Sequence, residues 1–113
     1  MSDNANDELL AQTNEQFWKN IESFIHQANK MSNDQGLDNT ASSFLYAAAR
    51  FSAFNAVSKY KDVQSMSLDK EEAIKYFTAT FNKMFRQNMD DYENNFDQYF
   101  KLQTDDTNST TMD

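Results

Sequence analysis

The chain has 113 residues, no cysteine, no proline, one glycine and a net charge of −8 at pH 7. This length suits one domain, and the scarcity of turn residues argues against an all-β fold. The charge disfavours nucleic acid and anionic membranes as partners, and the lack of cysteine excludes disulfides, thiolate nucleophiles and cysteine-ligated metals.

The N-terminal segment has neither the basic flank nor the apolar stretch of a signal peptide, and no apolar run reaches the roughly 20 residues of a membrane span. We therefore expect a soluble cytoplasmic protein that does not bind membranes. Residues 1–12 are polar and acidic, with little besides Leu9 and Leu10 to bury. They are predicted to form a disordered or frayed arm or, alternatively, a short helical extension.

A first helix is predicted from about Thr13 to Met31. Thr13 and Gln16 have the spacing of a capping box, in which the two side chains satisfy free backbone N–H groups. Apolar side chains then recur at helical spacing, namely Phe17, Ile21, Phe24, Ile25 and Ala28. The polar segment 32–36 is predicted to end the helix, with Gly36 in a backbone conformation that other residues resist.

A second helix, at about residues 39–60, is predicted to be central. Its segment 41–57, ASSFLYAAARFSAFNAV, carries apolar side chains on nearly every side, which is typical of a helix inside a core. Its alanines would let neighbouring helices approach closely. Asp38, Asn39 and Thr40 are all suitable residues to cap its N-terminus.

A third helix is predicted to begin at Ser67, because three acidic residues follow it where the helix dipole favours negative charge. A fourth helix, capped by Asp90 after a break near Met89, would carry the next aromatic stripe. The stripe stays in phase across that break, so one kinked helix is the alternative. Residues 104–113 are predicted to be a disordered acidic tail. The fold class is therefore all-α, with three to four helices packed in a domain at 13–103.

Four stretches in this order resemble a known family: FIHQAN (24–29), SFLYAAARFSAFNA (43–56), EEAIKYF (71–77) and QNMDDYENNF (87–96). Together they are similar to small proteobacterial proteins catalogued as a domain of unknown function, and the similarity covers roughly residues 17–100. The resemblance implies a small cytosolic helical protein of bacteria. It brings no activity, cofactor or catalytic residue.

Arg50 is the most informative polar residue, because it interrupts the most apolar helix, one turn after Tyr46 and one turn before Phe54. An unpaired buried guanidinium is very costly, so Arg50 is expected to reach solvent or to pair with an acid such as Glu22 or Asp91. The other interpretation is an anion-binding arginine in a cleft.

No catalytic, cofactor-binding or metal-binding residue is predicted. Acidic residues are densest at Asp90, Asp91, Glu93 and Asp97, but they lack the spacing and the glycine of a calcium-binding loop and are interpreted as a solvated face. His26 is the only histidine and is expected at the surface. No serine lies in a nucleophile motif, and one glycine does not make a phosphate-binding loop.

The best expectation from the sequence is a protein-interaction or regulatory module without catalytic activity. Its partner would be another protein or a second copy of the chain. The interface would use the amphipathic aromatic residues that interfaces favour, here Tyr92, Phe96, Tyr99 and Phe100. The alternative is a small-ligand or anion binder, or an enzyme, centred on Arg50 and Tyr46.

Overall fold

The computed structural model describes the backbone of residues 3–101 and the side chains of residues 14–100. Within this part of the chain there is no strand, and the all-α class is confirmed. The elements are helices α1 (Asp3–Gln35), α2 (Leu37–Val57) and α3 (Val63–Asn94), followed by a π-helical turn at Asp97–Lys101. The chain divides into two units at Ser58 and Lys59, the first holding α1 and α2 and the second holding α3 and the π-helical turn. The predicted tail at 104–113 lies outside the described residues.

Helix α1 begins ten residues earlier than the predicted start at Thr13. No proline or glycine occurs before Gly36, so no residue in this stretch interrupts the helical hydrogen bonds. Thr13 and Gln16 therefore lie inside the helix, and their predicted capping box is wrong. The Gln16 side chain instead donates a hydrogen bond from Nε2 to Oδ1 of Asn20 at 2.9 Å.

Gly36 alone separates α1 from α2, and its φ of 89° and ψ of 161° confirm the predicted special conformation. Its N–H donates to the Ser32 carbonyl at 2.8 Å, and its own carbonyl accepts from the Thr40 N–H at 3.2 Å. Gly36 is itself the N-cap of α2, without a side-chain hydrogen bond. The predicted capping residues Asp38, Asn39 and Thr40 therefore fall within the helix.

Helices α1 and α2 pack against each other in the first unit. The Phe24 and Phe44 rings meet with their centroids 6.4 Å apart, and Ile21 and Ala28 of α1 are half-buried. Thr40, near the Gly36 turn, is only 3 % exposed, and its Oγ1 has no hydrogen-bond partner. The two helices thus cover one side of each other.

The predicted enclosure of the central helix is not found, because no hydrophobic side chain between residues 14 and 100 is buried. On α2, Leu45, Phe51 and Phe54 are 54 %, 71 % and 66 % exposed. Within the first unit, α1 covers only one side of a helix that is apolar on nearly every side. The pattern identified side chains that favour burial, but it did not specify what would cover them.

Helix α3 begins at Val63, four residues before the predicted start at Ser67. Asp62 is its N-cap: Oδ1 accepts a hydrogen bond from the Ser65 N–H at 2.8 Å, and this bond lowers the pKa of the carboxyl group. Nearby, the Tyr60 hydroxyl donates to Oδ2 of Asp69 at 3.0 Å. Asp62, and not Ser67, is the cap of α3, because its side chain accepts a hydrogen bond from a backbone N–H of the first turn, that of Ser65.

The predicted break near Met89 is wrong, since α3 continues to Asn94. Without glycine or proline there, the backbone hydrogen bonds continue through Asp90 and leave no free N–H group for it to cap. The regular helix ends at Asn95, whose φ of −124° and ψ of 28° are not helical, and the π-helical turn follows. The predicted fourth helix is therefore divided between the end of α3, residues 90–94, and the π-helical turn at Asp97–Lys101.

Candidate interaction surfaces

The four aromatic residues predicted as an interaction face lie together, and we call them the C-terminal aromatic cluster: Tyr92, Phe96, Tyr99 and Phe100. The Tyr92 and Tyr99 rings meet edge to face with centroids 4.9 Å apart. Phe100 lies 5.0 Å from Phe96 and 5.8 Å from Tyr92, again between ring centroids. These separations fall in the range of favourable aromatic pairs, so the rings support one another.

The change from α-helix to π-helical turn accompanies this clustering. In a regular α-helix the Cα atoms of Tyr92 and Tyr99 would be about 10.5 Å apart along the axis. Asn95 interrupts the regular helix between them, and a π-helical turn, which is wider, carries Tyr99 and Phe100. Such turns occur often at functional positions in helices.

Asp91 anchors the cluster from the last turn of α3. Its Oδ2 accepts a hydrogen bond from the Tyr99 hydroxyl at 2.9 Å, and its Oδ1 accepts one from Asn95 Nδ2 at 2.9 Å. Asn95 Nδ2 also lies 3.0 Å from the Asp91 carbonyl oxygen. One carboxylate therefore fixes both the residue where the helix changes and an aromatic side chain of the cluster.

The Asp91 carboxylate also changes the titration of Tyr99. The pKa of Tyr99 is raised above its ordinary value. The largest cause is the hydrogen bond that the tyrosine hydroxyl donates to Asp91, and the next is the repulsion between the carboxylate and a tyrosinate. The phenol thus stays protonated and remains a donor to Asp91 over a wider pH range than a free tyrosine.

The cluster is exposed and lies among acidic side chains. Phe96 is 58 % exposed, and the other three rings are between 42 % and 45 % exposed. Residues 87–100 contain four acids and no lysine or arginine. The acids are Asp90, Asp91, Glu93 and Asp97. The surface therefore combines apolar rings with negative charge.

The acidic residues do not form a metal centre in the described part of the chain, where no group of three or more histidine, cysteine or acidic side chains is placed to hold an ion. Residues 93–98 line an open depression in which polar groups predominate. His26 is exposed on α1, as expected.

A second exposed surface lies on α2, and we call it the Arg50 face: Tyr46, Arg50, Phe54 and Val57. These residues share one side of the helix because they are spaced by four, four and three. Tyr46 is 71 % exposed, Phe54 66 % and Val57 43 %. Phe51 borders this face, and its ring centroid is 6.2 Å from that of Phe54.

Arg50 is exposed. Of the outcomes predicted for it, the structure therefore shows the one in which the side chain reaches solvent. Among the described residues the only salt bridge joins Lys75 to Glu72, at 3.6 Å. The predicted pairing of Arg50 with an acid is therefore absent there. Tyr46, one turn earlier on α2, is also exposed, at 71 %.

Two polar contacts were not predicted. The hydrogen bonds from Tyr60 to Asp69 and from Tyr99 to Asp91 join residues nine and eight positions apart, which is not a standard helical pairing. The first spans a loop and a helix N-terminus, and the second spans the change of helix type at Asn95. The cap at Asp62, by contrast, could have been found, because aspartate is a preferred N-cap residue.

In the described part of the chain, no helix is both long enough and apolar enough to cross a membrane. Comparison with known proteins gives one family match: the model of a family described as Protein of unknown function (DUF3144) matches residues 17–93. Searches of the curated proteins and of the solved structures found no significant match. The matched range includes α2 and ends just after Tyr92, the first residue of the C-terminal aromatic cluster.

Proposed function

This chain belongs to the family described as Protein of unknown function (DUF3144), and we propose that it is a protein-interaction module without catalytic activity. The family description supplies no function, so the proposal rests on the surfaces of the chain itself. Its main support is the C-terminal aromatic cluster. Four mutually packed rings remain about half exposed there, although apolar area of this kind favours burial.

The chemistry of the cluster indicates the kind of partner. Exposed aromatic side chains are enriched among residues that dominate binding energy at protein interfaces. The four acids around them would attract lysine and arginine, which speeds association and selects the partner. We therefore propose a protein partner that presents an apolar segment flanked by basic side chains.

The ring contacts and the Asp91 hydrogen bonds also favour binding. A surface that is already ordered loses less conformational entropy when a partner docks. Tyr99 is held by Asp91, and Phe96 and Phe100 are held by each other. The cytoplasmic location belongs to the same proposal, and the cysteine-free composition is compatible with it.

The alternative function, binding of a small ligand or anion at Arg50 and Tyr46, stays a prediction without a specific observation in its favour. Both side chains are exposed, and ligand sites are usually concave and cover most of the ligand surface. An anion held by Arg50 alone would remain largely in water, where the attraction between charges is weak.

The proposed function is tested by affinity capture of the tagged full-length chain from a bacterial lysate, at low and at high salt. We expect a stoichiometric protein that is retained at high salt, because an apolar contact is not screened by ions. Phe96→Ser should reduce its recovery about tenfold or more, the size of effect seen for a central aromatic residue of an interface.

Phe85→Ser is the matched control, because Phe85 is 57 % exposed and Phe96 is 58 % exposed. Phe85 lies on α3, outside the C-terminal aromatic cluster. Far-UV circular dichroism should show both variants to be equally helical. An empty eluate from the unmodified chain, or equal loss of the partner with both variants, would contradict the proposal.

A further inference from the structure

We propose that two copies of this chain associate through the Arg50 face of α2, with the two α2 helices antiparallel about a two-fold axis. This inference goes beyond the proposed function, because it concerns a different surface and a different partner. Three observations on α2 carry it: its lack of charge, the distribution of large and small side chains along it, and the spacing of Tyr46 and Arg50.

The first observation is electrostatic. Two chains that each carry a net charge of −8 repel one another unless they meet through a surface with little charge. Among the 21 residues of α2, only Asp38 and Arg50 are charged. The Arg50 face itself carries one positive charge, so two copies can approach there without bringing acids together.

The second observation is the distribution of side-chain volume. On the side of α2 that carries the Arg50 face, the first part of the helix offers the small exposed residues Ser42 and Ser43, whereas the last part offers the large exposed residues Phe54 and Val57. An antiparallel pair places the large end of each helix against the small end of the other. The surface is therefore complementary to itself, as a two-fold interface requires.

The third observation concerns Arg50, which has no salt-bridge partner among the described residues. Along the helix axis, Tyr46 and Arg50 are each two residues from the level of Ala48. An antiparallel pair centred at that level therefore places each arginine opposite Tyr46 of the other copy. A guanidinium over an aromatic ring is a favourable cation–π contact. The same symmetry forms this contact twice and keeps the two arginines apart.

The exposed area is of the right order for such a contact. Tyr46, Phe51 and Phe54 are each between 66 % and 71 % exposed, which leaves roughly 100–150 Å² of each ring side chain to be covered. Together these three rings offer roughly 300–450 Å², about half of the roughly 800 Å² that each partner contributes to a standard interface, and Val57 and the neighbouring alanines add to it.

The test measures the mass of the full-length chain by sedimentation equilibrium over about a hundredfold range of concentration. We expect a dimer whose melting temperature rises with protein concentration. Tyr46→Arg should raise the dissociation constant about tenfold or more, because it places one cation opposite another. Combining it with Arg50→Tyr exchanges the two partners and should restore the dimer.

Asn29→Arg is the matched control, since it adds the same charge at an exposed position of α1. A second measurement uses the absence of native cysteine. In the proposed register the Ala47 positions of the two copies are offset by about 3 Å along the helices and the Ala53 positions by about 15 Å. Mild oxidation should therefore link the Ala47→Cys variant into a dimer and leave the Ala53→Cys variant unlinked.

A chain that is monomeric at every concentration would overturn the inference. So would equal weakening by Tyr46→Arg and Asn29→Arg, failure of the double exchange to restore the dimer, or equal cross-linking at both alanine positions. These results are separable from those for the proposed function. A monomer that still captures a partner through Phe96 overturns only the self-association, and a dimer that captures nothing overturns only the partner-binding role.

Discussion

The hydrogen bond from Tyr99 to Asp91 connects the aromatic cluster to the end of α3. It requires a protonated phenol and an ionised carboxylate, and it raises the pKa of Tyr99. Because the folded chain holds this proton more tightly than the unfolded chain does, the bond contributes its full stabilisation from neutral pH up to the ordinary tyrosine pKa of about 10. This contribution is lost as the pH rises through the higher pKa of the folded state.

We predict that Asp91→Asn lowers the pKa of Tyr99 toward its ordinary value, because the substitution removes the carboxylate charge. The measurement is an ultraviolet titration of tyrosinate absorbance in a Tyr60→Phe background, which removes the other tyrosine whose pKa is raised. Asp69→Asn in the same background is the control and should change nothing. An unaltered titration curve for Asp91→Asn would show that the bond is not formed in solution.

Gly36 determines how the first two helices are joined. With one residue between α1 and α2, the chain must reverse within a single backbone conformation, and the φ of 89° and ψ of 161° belong to a region that is almost restricted to glycine. A Cβ atom placed on Gly36 would have no atom within 4 Å, so sterically the position is open. The requirement for glycine is therefore one of backbone conformation.

We predict that Gly36→Ala lowers the free energy of unfolding by about 1–3 kcal/mol, the strain of a non-glycine residue in this region. Urea denaturation followed by circular dichroism measures the change. Gln35→Ala, at the last residue of α1, is the control and should have a much smaller effect, because alanine is a good helix former. Equal stabilities for the two variants would mean that α1 and α2 are joined differently.

Helix α3 illustrates how elements end when no glycine or proline stops them. Its N-terminus is determined by the cap at Asp62, and at its C-terminus the non-helical residue Asn95 separates it from the wider π-helical turn. Asp90 and Asp91 are not cap residues of α3, whose caps are Asp62 and Asn95. Asp91 instead provides the hydrogen bonds that hold the residues of the wider turn.

At the scale of the whole molecule, charge and exposed apolar area oppose each other. The net charge of −8 keeps copies apart, whereas apolar side chains on α2 and α3 favour association. The only salt bridge among the described residues is exposed, and such pairs contribute little to stability. Repulsion between acids is therefore the main electrostatic effect on the folded chain.

We predict that the melting temperature rises by a few degrees when the ionic strength increases from about 0.01 M to about 0.15 M, since salt screens the repulsion between acids. Differential scanning calorimetry at fixed protein concentration measures it. Sodium and potassium chloride should act alike, which separates screening from binding of a particular ion. A melting temperature that falls with salt would mean that attractive ion pairs dominate.

Much of the fold could be predicted from the sequence alone, because helix periodicity and glycine chemistry are local properties. The all-α class, the approximate position of α2 and the special conformation at Gly36 follow from side-chain spacing and from backbone sterics. Element ends were predicted less well. Several residues near each end could act as caps, and the hydrogen bonds of the continuing helix decided against Thr13, Thr40 and Ser67.

The candidate site shows the same division. The spacing of Tyr92, Phe96, Tyr99 and Phe100 was enough to group them on one face, because residues three, four and seven positions apart share a side of a helix. Their ring contacts and the anchoring role of Asp91 depend on the irregular backbone at Asn95, which no sequence pattern indicated.

The sequence by itself determined where helices form and which side chains favour burial, since both follow from interactions within a few residues. Only the tertiary structure decided how much of α2 is covered. Coverage depends on which surfaces meet, and the apolar pattern of α2 is the same whether its neighbour is α1 or another copy of the chain. Phe54 is predicted to lie inside a core but is 66 % exposed, because its place in the apolar pattern does not specify which surface would cover it.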